Sequence, residues 1–132
     1  AVFTDDFWVQ ALHDLRDASD HNVTVPRALM ASISGLESPA GVGFVWDLSD
    51  KAVVQAGVAT VVLDRLQDAG NVGSILRSAS AFGFGQVLAV KGTVGLWSPK
   101  VVRAGMGAHF GLQLVEGCPD VGVLIARVLQ LK

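Results

Sequence analysis

What this chain lacks narrows it first. It holds one cysteine, Cys118, so no internal disulfide can form, and a reducing compartment is expected. Charged residues are only 17% against 51% hydrophobic, which excludes a disordered, solvated tail. No apolar run approaches a bilayer span and no charged-then-apolar leader stands at the start. A soluble, cytoplasmic protein with no membrane partner is therefore expected. No group of His, Cys, Asp and Glu has metal-ligand spacing, so no metal is expected. Common phosphate and nucleophile signatures are missing too. Gly70-Asn71-Val72-Gly73 is not G-x-G-x-x-G, Lys91-Gly92-Thr93 reverses the phosphate-loop order, and no G-x-S-x-G elbow occurs. A last absence is local: between Ala69 and Val115 there is no Asp or Glu, while Arg77, Lys91, Lys100 and Arg103 all fall there. In a chain of net charge −2 this is a cationic island, suited to a phosphate-bearing partner.

What is present reads as alternating strands and helices. The 132 residues suffice for one domain, or one domain and part of another, with a buried core. Ala1 to Thr4 reads as a strand, and Asp5 or Asp6 as the cap of a helix with Phe7, Trp8, Ala11, Leu12 and Leu15 at helical spacing. His13 and His21 read as surface or helix-end histidines. Val23 to Val25 is a minimal strand, and Pro26 suits the first position of a helix through Arg27 to Ile33. Ser34 to Gly41 is a turn by composition, with Val42, Phe44, Val45 and Trp46 as a strand after it. The mixed stretch from Asp47 to Gly57 is expected to be a hinge. The expected organisation is a small α/β piece at 1–48, a linker at 49–58 and a main unit at 59–132.

The main unit runs strand, loop, helix, strand, an order that requires a parallel crossover. Thr60 to Leu63 is the first strand, and the polar turn Gln67 to Gly73 leads into a helix Val72 to Phe82 with Asn71 as its cap. Ile75, Leu76, Ala79 and Phe82 are its apolar stripe, and Gly83 its stop. Gly73 leaves the backbone open to close approach by a ligand or another chain segment. Arg77 follows four residues later on nearly the same face. A carboxylate-free helix entrance carrying the Asn71 amide and the Arg77 guanidinium would suit phosphate or ribose. The plain alternative is that Asn71 only caps and Arg77 is only solvated. Gln86 to Val90 is the next strand, and Ser98-Pro99 opens a helix from Lys100 to Met106, Ser98 its cap, with Lys100 and Arg103 on one side. His109 reads as structural, Phe110 to Val115 as a strand, and Val121 to Leu131 as a helix or strand.

The segments LDRLQDAGNVGSILRSASAFGF and SPKVVRAGMGAHF resemble the first two motifs of the SpoU/TrmH family of RNA 2′-O-ribose methyltransferases, members of the SPOUT class. The resemblance covers about Val61 to Gly117, with both motifs in order at the right separation. More weakly, ISGLESPAGVGFV is similar to the end of that family's ribosomal-protein-like RNA-binding domain. Ala69 stands where the family usually has Pro, and Gly105 where Ser is common. The third motif, which makes most of the cofactor pocket and the knot, is expected beyond Lys132. The resemblance implies an α/β parallel-sheet, knot-forming SPOUT-like catalytic domain, incomplete here, preceded by part of a small α/β RNA-binding domain. It implies S-adenosylmethionine as cofactor, rRNA or tRNA as substrate and a homodimer. Asn71 and Arg77 would be catalytic, and Lys100 and Arg103, with Arg77, would hold RNA, or Lys100 and Arg103 the dimer seam. A non-catalytic RNA-binding or ribosome-assembly module on the same scaffold is the alternative.

Overall fold

The computed structural model describes residues 1–48 and 52–130, the side chains of 126–130 excepted. Residues 49–51, where the expected linker 49–58 begins, and residues 131–132, where the Val121 to Leu131 segment ends, lie outside the described residues. The chain divides into two units, Ala1–Ser49 and Asp50–Lys132.

The first unit begins with β1 (Val2–Thr4), α1 (Asp5–Gln10) and α2 (His13–Asp17). A single helix from Asp5 or Asp6 to Leu15 was the sequence expectation, but Ala11 and Leu12 are extended and divide it. Arg16 closes the break: its guanidinium donates to the carbonyl of Trp8, left over at the end of α1, and lies 4.3 Å over the Trp8 ring. Thr4, not Asp5 or Asp6, occupies the cap position of α1, without a side-chain cap bond. After β2 (Val23–Val25), Pro26 stands just outside α3 (Arg27–Ser34), which ends on Gly35 at φ 63°. β3 is only Val42–Gly43. The expected strand through Trp46 is absent, because the pairing of Val2 with Gly43 carries Phe44 opposite Ala1, where the ladder stops. The sheet order is β2-β1-β3, parallel on one side of β1 and antiparallel on the other, over a core of Phe3, Val25 and Met30.

The second unit is a repeated strand–helix crossover: β4 (Thr60–Leu63), α4 (Ala69–Ala81), β5 (Gln86–Val90), α5 (Pro99–Gly105), a 3₁₀ turn (Ala108–Gly111), β6 (Gln113–Cys118) and α6 (Val121–Gln130). All strands are parallel, in the order β4-β5-β6. Central β5 is buried at every residue, which is why Val87 to Val90 read as an apolar run rather than an alternation, Gln86 being the one polar residue of the strand. Val87 and Ala89 face a core shared with Val72, Leu76 and Ala79 of α4 and Val101 of α5. Leu88 and Val90 face the other way, toward Cys118 and Leu124. Both faces of the sheet are therefore covered by helices. The expected strand from Phe110 is displaced: Phe110 lies exposed on the 3₁₀ turn and β6 starts at Gln113. The later half of the expected linker packs on the sheet, since Gln86 binds the backbone N–H of Gln55 at 2.7 Å and the Thr60 hydroxyl at 2.9 Å.

Candidate functional site

The entrance of α4 differs from its sequence reading in one decisive respect. Asp68, not Asn71, is the cap: its Oδ1 accepts the Asn71 backbone N–H at 2.6 Å, and α4 begins at Ala69. The carboxylate of Asp68 thus occupies the helix N-terminus that an acid-free reading would leave for a phosphate. The Asn71 side chain is released from capping. It is exposed, and its amide has no hydrogen bond among the described residues. The signal was in the sequence, since Asp68 precedes Asn71 by three residues, the spacing of a cap and its acceptor bond.

Gly73 is buried against α5 and not open to ligand. A side chain there would place its Cβ 2.3 Å from Ala104 Cβ and 2.8 Å from the Gly105 backbone nitrogen. The two helices therefore touch backbone to backbone, which only glycine permits. Arg77, one turn on and about 40° round the axis, leaves this crossing on the α5 side. It is exposed and has no ion pair or hydrogen bond among the described residues. Lys100 and Arg103, about 60° apart on α5, are likewise exposed and unpaired there. The crossing thus brings Arg77 onto the helix pair that carries Lys100 and Arg103. Asn71 lies about 120° from Arg77 around α4, at the opposite end of the crossing. The stripe of α4 is Val72, Leu76 and Ala79 with Ile75 at its margin, while Phe82, expected in it, is 81% exposed.

Loops at the carboxyl ends of the strands are stitched together. Val94 N–H donates to the Leu66 carbonyl at 2.8 Å, the Thr93 hydroxyl to the Leu63 carbonyl at 3.2 Å, and the Gln67 amide to the Gly92 carbonyl. Ser98 stands before α5 with Pro99 at its first position, but its hydroxyl makes no cap bond and is buried without a partner among the described residues. His109 is 2% exposed, in keeping with a structural residue. The bonds of Gln67, Thr93 and Glu116 leave no local pattern in the sequence, because their partners lie 20 or more residues away.

Beneath these loops a crevice of about 220 Å³ is lined by Asp64, Arg65, Val90, Lys91, Pro119, Asp120 and Val121. Arg65, at φ 54°, pairs with Asp64 at 2.8 Å, and that hydrogen bond holds the guanidinium pKa above its ordinary value. The lining offers carboxylates for hydroxyls and cations for a carboxylate. The crevice volume is below the roughly 300–1,000 Å³ usual for a small-molecule site. No His, Cys, Asp and Glu cluster among the described residues could hold a metal ion.

Fold and site together define an α/β domain of parallel strands, with exposed cations on each of the two helices that cross at Gly73. The model of the SpoU rRNA Methylase family matches residues 59–127, and the chain belongs to that family. It is 54% identical over 56 residues to the mouse mitochondrial rRNA methyltransferase 3, covering 42% of this chain and 13% of that protein. The 23S rRNA guanosine 2′-O-methyltransferase RlmP of Bacillus subtilis is 27% identical over 86 residues, covering 65% of this chain and 34% of that protein. A solved structure from Porphyromonas gingivalis, assigned to the TrmH family of RNA methyltransferases, superposes with a TM-score of 0.78 at 32% identity, over 98% of this chain and 51% of that one. The chain therefore spans about half of that structure and a smaller part of the two curated relatives.

Proposed function

We propose that this chain is the RNA-facing part of an S-adenosylmethionine-dependent methyltransferase acting on a ribose 2′-hydroxyl of rRNA or tRNA. One observation carries the reading: Arg77, Lys100 and Arg103 are exposed and unpaired among the described residues, on two helices in a segment with no acidic residue. S-adenosylmethionine, when bound, supplies the methyl group. Its pocket is expected in the additional length of the relatives, together with the third motif and the knot. A 2′-hydroxyl is a poor nucleophile and sheds its proton as it attacks. Arg77 offers only donors, so it serves as a clamp on a neighbouring phosphate and stabilises the developing alkoxide rather than acting as a base. Asn71 orients the ribose, and Lys100 and Arg103 hold the backbone; the separation of Asn71 from Arg77 on α4 removes the expectation that Asn71 orients Arg77 itself. The residues before the linker contribute RNA contacts as part of a substrate-binding domain.

The partner we propose besides RNA is a second copy. An apolar groove of about 250 Å³ beside α4, lined by Val61, Ile75, Ala79, Phe82 and Phe84 with Ser74 and Ser78, supports a homodimer contact there. Sedimentation of wild type against Phe82→Asp tests it, with a monomeric wild type overturning it. No helix of the described residues is long and apolar enough to cross a membrane. The compartment we propose is the cytoplasm; imaging of the tagged protein decides between it and the mitochondrion named for the mouse relative.

RNA binding by fluorescence anisotropy across a salt series tests the central reading. Three phosphate contacts to a single strand predict a log–log slope near −2, and each of Arg77→Ala, Lys100→Ala and Arg103→Ala should reduce it by about 0.7. Slopes unchanged in all three variants would contradict it.

A further inference from the structure

The loop between β5 and α5 is gripped at one peptide from two sides. The N–H of Leu96 donates to Glu116 Oε1 at 2.5 Å, and its carbonyl accepts from His109 Nε2 at 2.8 Å. Leu96 itself is fully buried in the core beneath α4 and α5. The His109 ring is wedged into place, 5.1 Å from the Trp97 ring. Gly105 makes room for it: a Cβ there would lie 2.5 Å from His109 Cε1 and 2.7 Å from Nδ1. His109 Nδ1 is buried with no partner among the described residues, and the Leu96 carbonyl can only accept, so the tautomer that satisfies it carries its proton on Nε2. Leu96 lies two residues before Ser98, where α5 starts. Whatever fixes this peptide fixes where α5 begins, and hence where Lys100 and Arg103 point.

We propose that His109 and Glu116 are positioning residues that hold the Leu96 peptide between them and so aim the cationic side of α5 at RNA. This rests on the reading of that side as the RNA-facing surface. The grip combines a buried donor with a charged acceptor, and the latter is the stronger kind of hydrogen bond. It explains two residues that the reaction itself does not use, and the glycine at 105.

The test uses the full chain, with amide exchange of Leu96 and affinity for oligouridine read in parallel. Glu116→Ala and His109→Phe, each removing one side of the grip, should speed exchange at Leu96 by about tenfold or more. Glu116→Gln keeps an acceptor and His109→Gln keeps a donor, so both should restore protection. Nitrogen NMR of wild type should find the His109 proton on Nε2. Affinity for oligouridine should follow Leu96 protection across the four variants. Unchanged protection in Glu116→Ala, which is at an exposed residue and tolerant of replacement, would overturn the proposal. So would affinity that fails to follow protection while Lys100→Ala and Arg103→Ala still weaken binding. If those two lysine and arginine variants bind as wild type does, the RNA-facing reading fails instead.

Discussion

Asn71 and Asp68 illustrate how a single residue shifts the chemistry of a site. A polar residue before a helix invites the reading of a cap, and both candidates stand in the same turn. Only the observed bond from the Asn71 N–H to Asp68 Oδ1 assigns the cap to Asp68 and leaves the Asn71 amide exposed. With a carboxylate at the N-terminus of α4, the proposed phosphate recognition rests on Arg77 and the cations of α5 and not on the helix end. At the same scale, Asp6 carries a pH prediction. A hydrogen bond from Arg27, with a smaller one from Thr4, lowers its carboxyl pKa from 3.8 to about 2. The folded value is the lower one, so the pair supports the fold above the ordinary carboxylate range and its contribution is lost as pH falls through about 2. Carboxyl-carbon NMR should place the Asp6 midpoint near 2 in wild type and nearer 3.8 in Arg27→Gln. A midpoint unmoved by that substitution would remove Arg27 as the cause.

Elements were legible where their periodicity was strong and obscure where a distant partner decided. The strands Thr60 to Leu63 and Gln86 to Val90 and the body of α4 follow from apolar pattern and flanking glycine. The break between α1 and α2 depends on Arg16 folding back to Trp8, and the end of β3 on its register with β1; neither leaves a mark in the local sequence. Ala69 is the first residue of α4, behind Asp68 at φ −82° and ψ 116°, an extended conformation that a following proline tolerates. Ala69→Pro should therefore stabilise the protein by about 0.4–1 kcal/mol in urea melts. Asp68→Ala should cost about 0.5–2 kcal/mol through the lost cap. A destabilising Ala69→Pro together with a neutral Asp68→Ala would show that α4 begins elsewhere. Gly73→Ala forces a Cβ into the backbone of Ala104 and Gly105 and should cost about 1–3 kcal/mol, with loosened packing between α4 and α5. A neutral Gly73→Ala would contradict the close crossing that brings Arg77 to the cations of α5.

For the whole molecule, the acid-free segment from Ala69 to Val115 was visible in the sequence, and folding sets its cations on two helices that cross at Gly73. What the sequence left hidden is the division of labour within it. Gly73 and Gly105 serve packing, against Ala104 and His109 respectively, while Arg77, Lys100 and Arg103 remain exposed. The family match over residues 59–127 places this segment in an RNA methylase scaffold, so its central residue can be tested by the chemistry itself. The direct measurement is transfer of labelled methyl from S-adenosylmethionine to an RNA ribose by the intact protein, wild type against Arg77→Ala, with cofactor affinity measured alongside. The account predicts that Arg77→Ala slows transfer about 10²–10³-fold while cofactor affinity stays within about twofold. Undiminished transfer, or equal loss of transfer and cofactor binding, would contradict it.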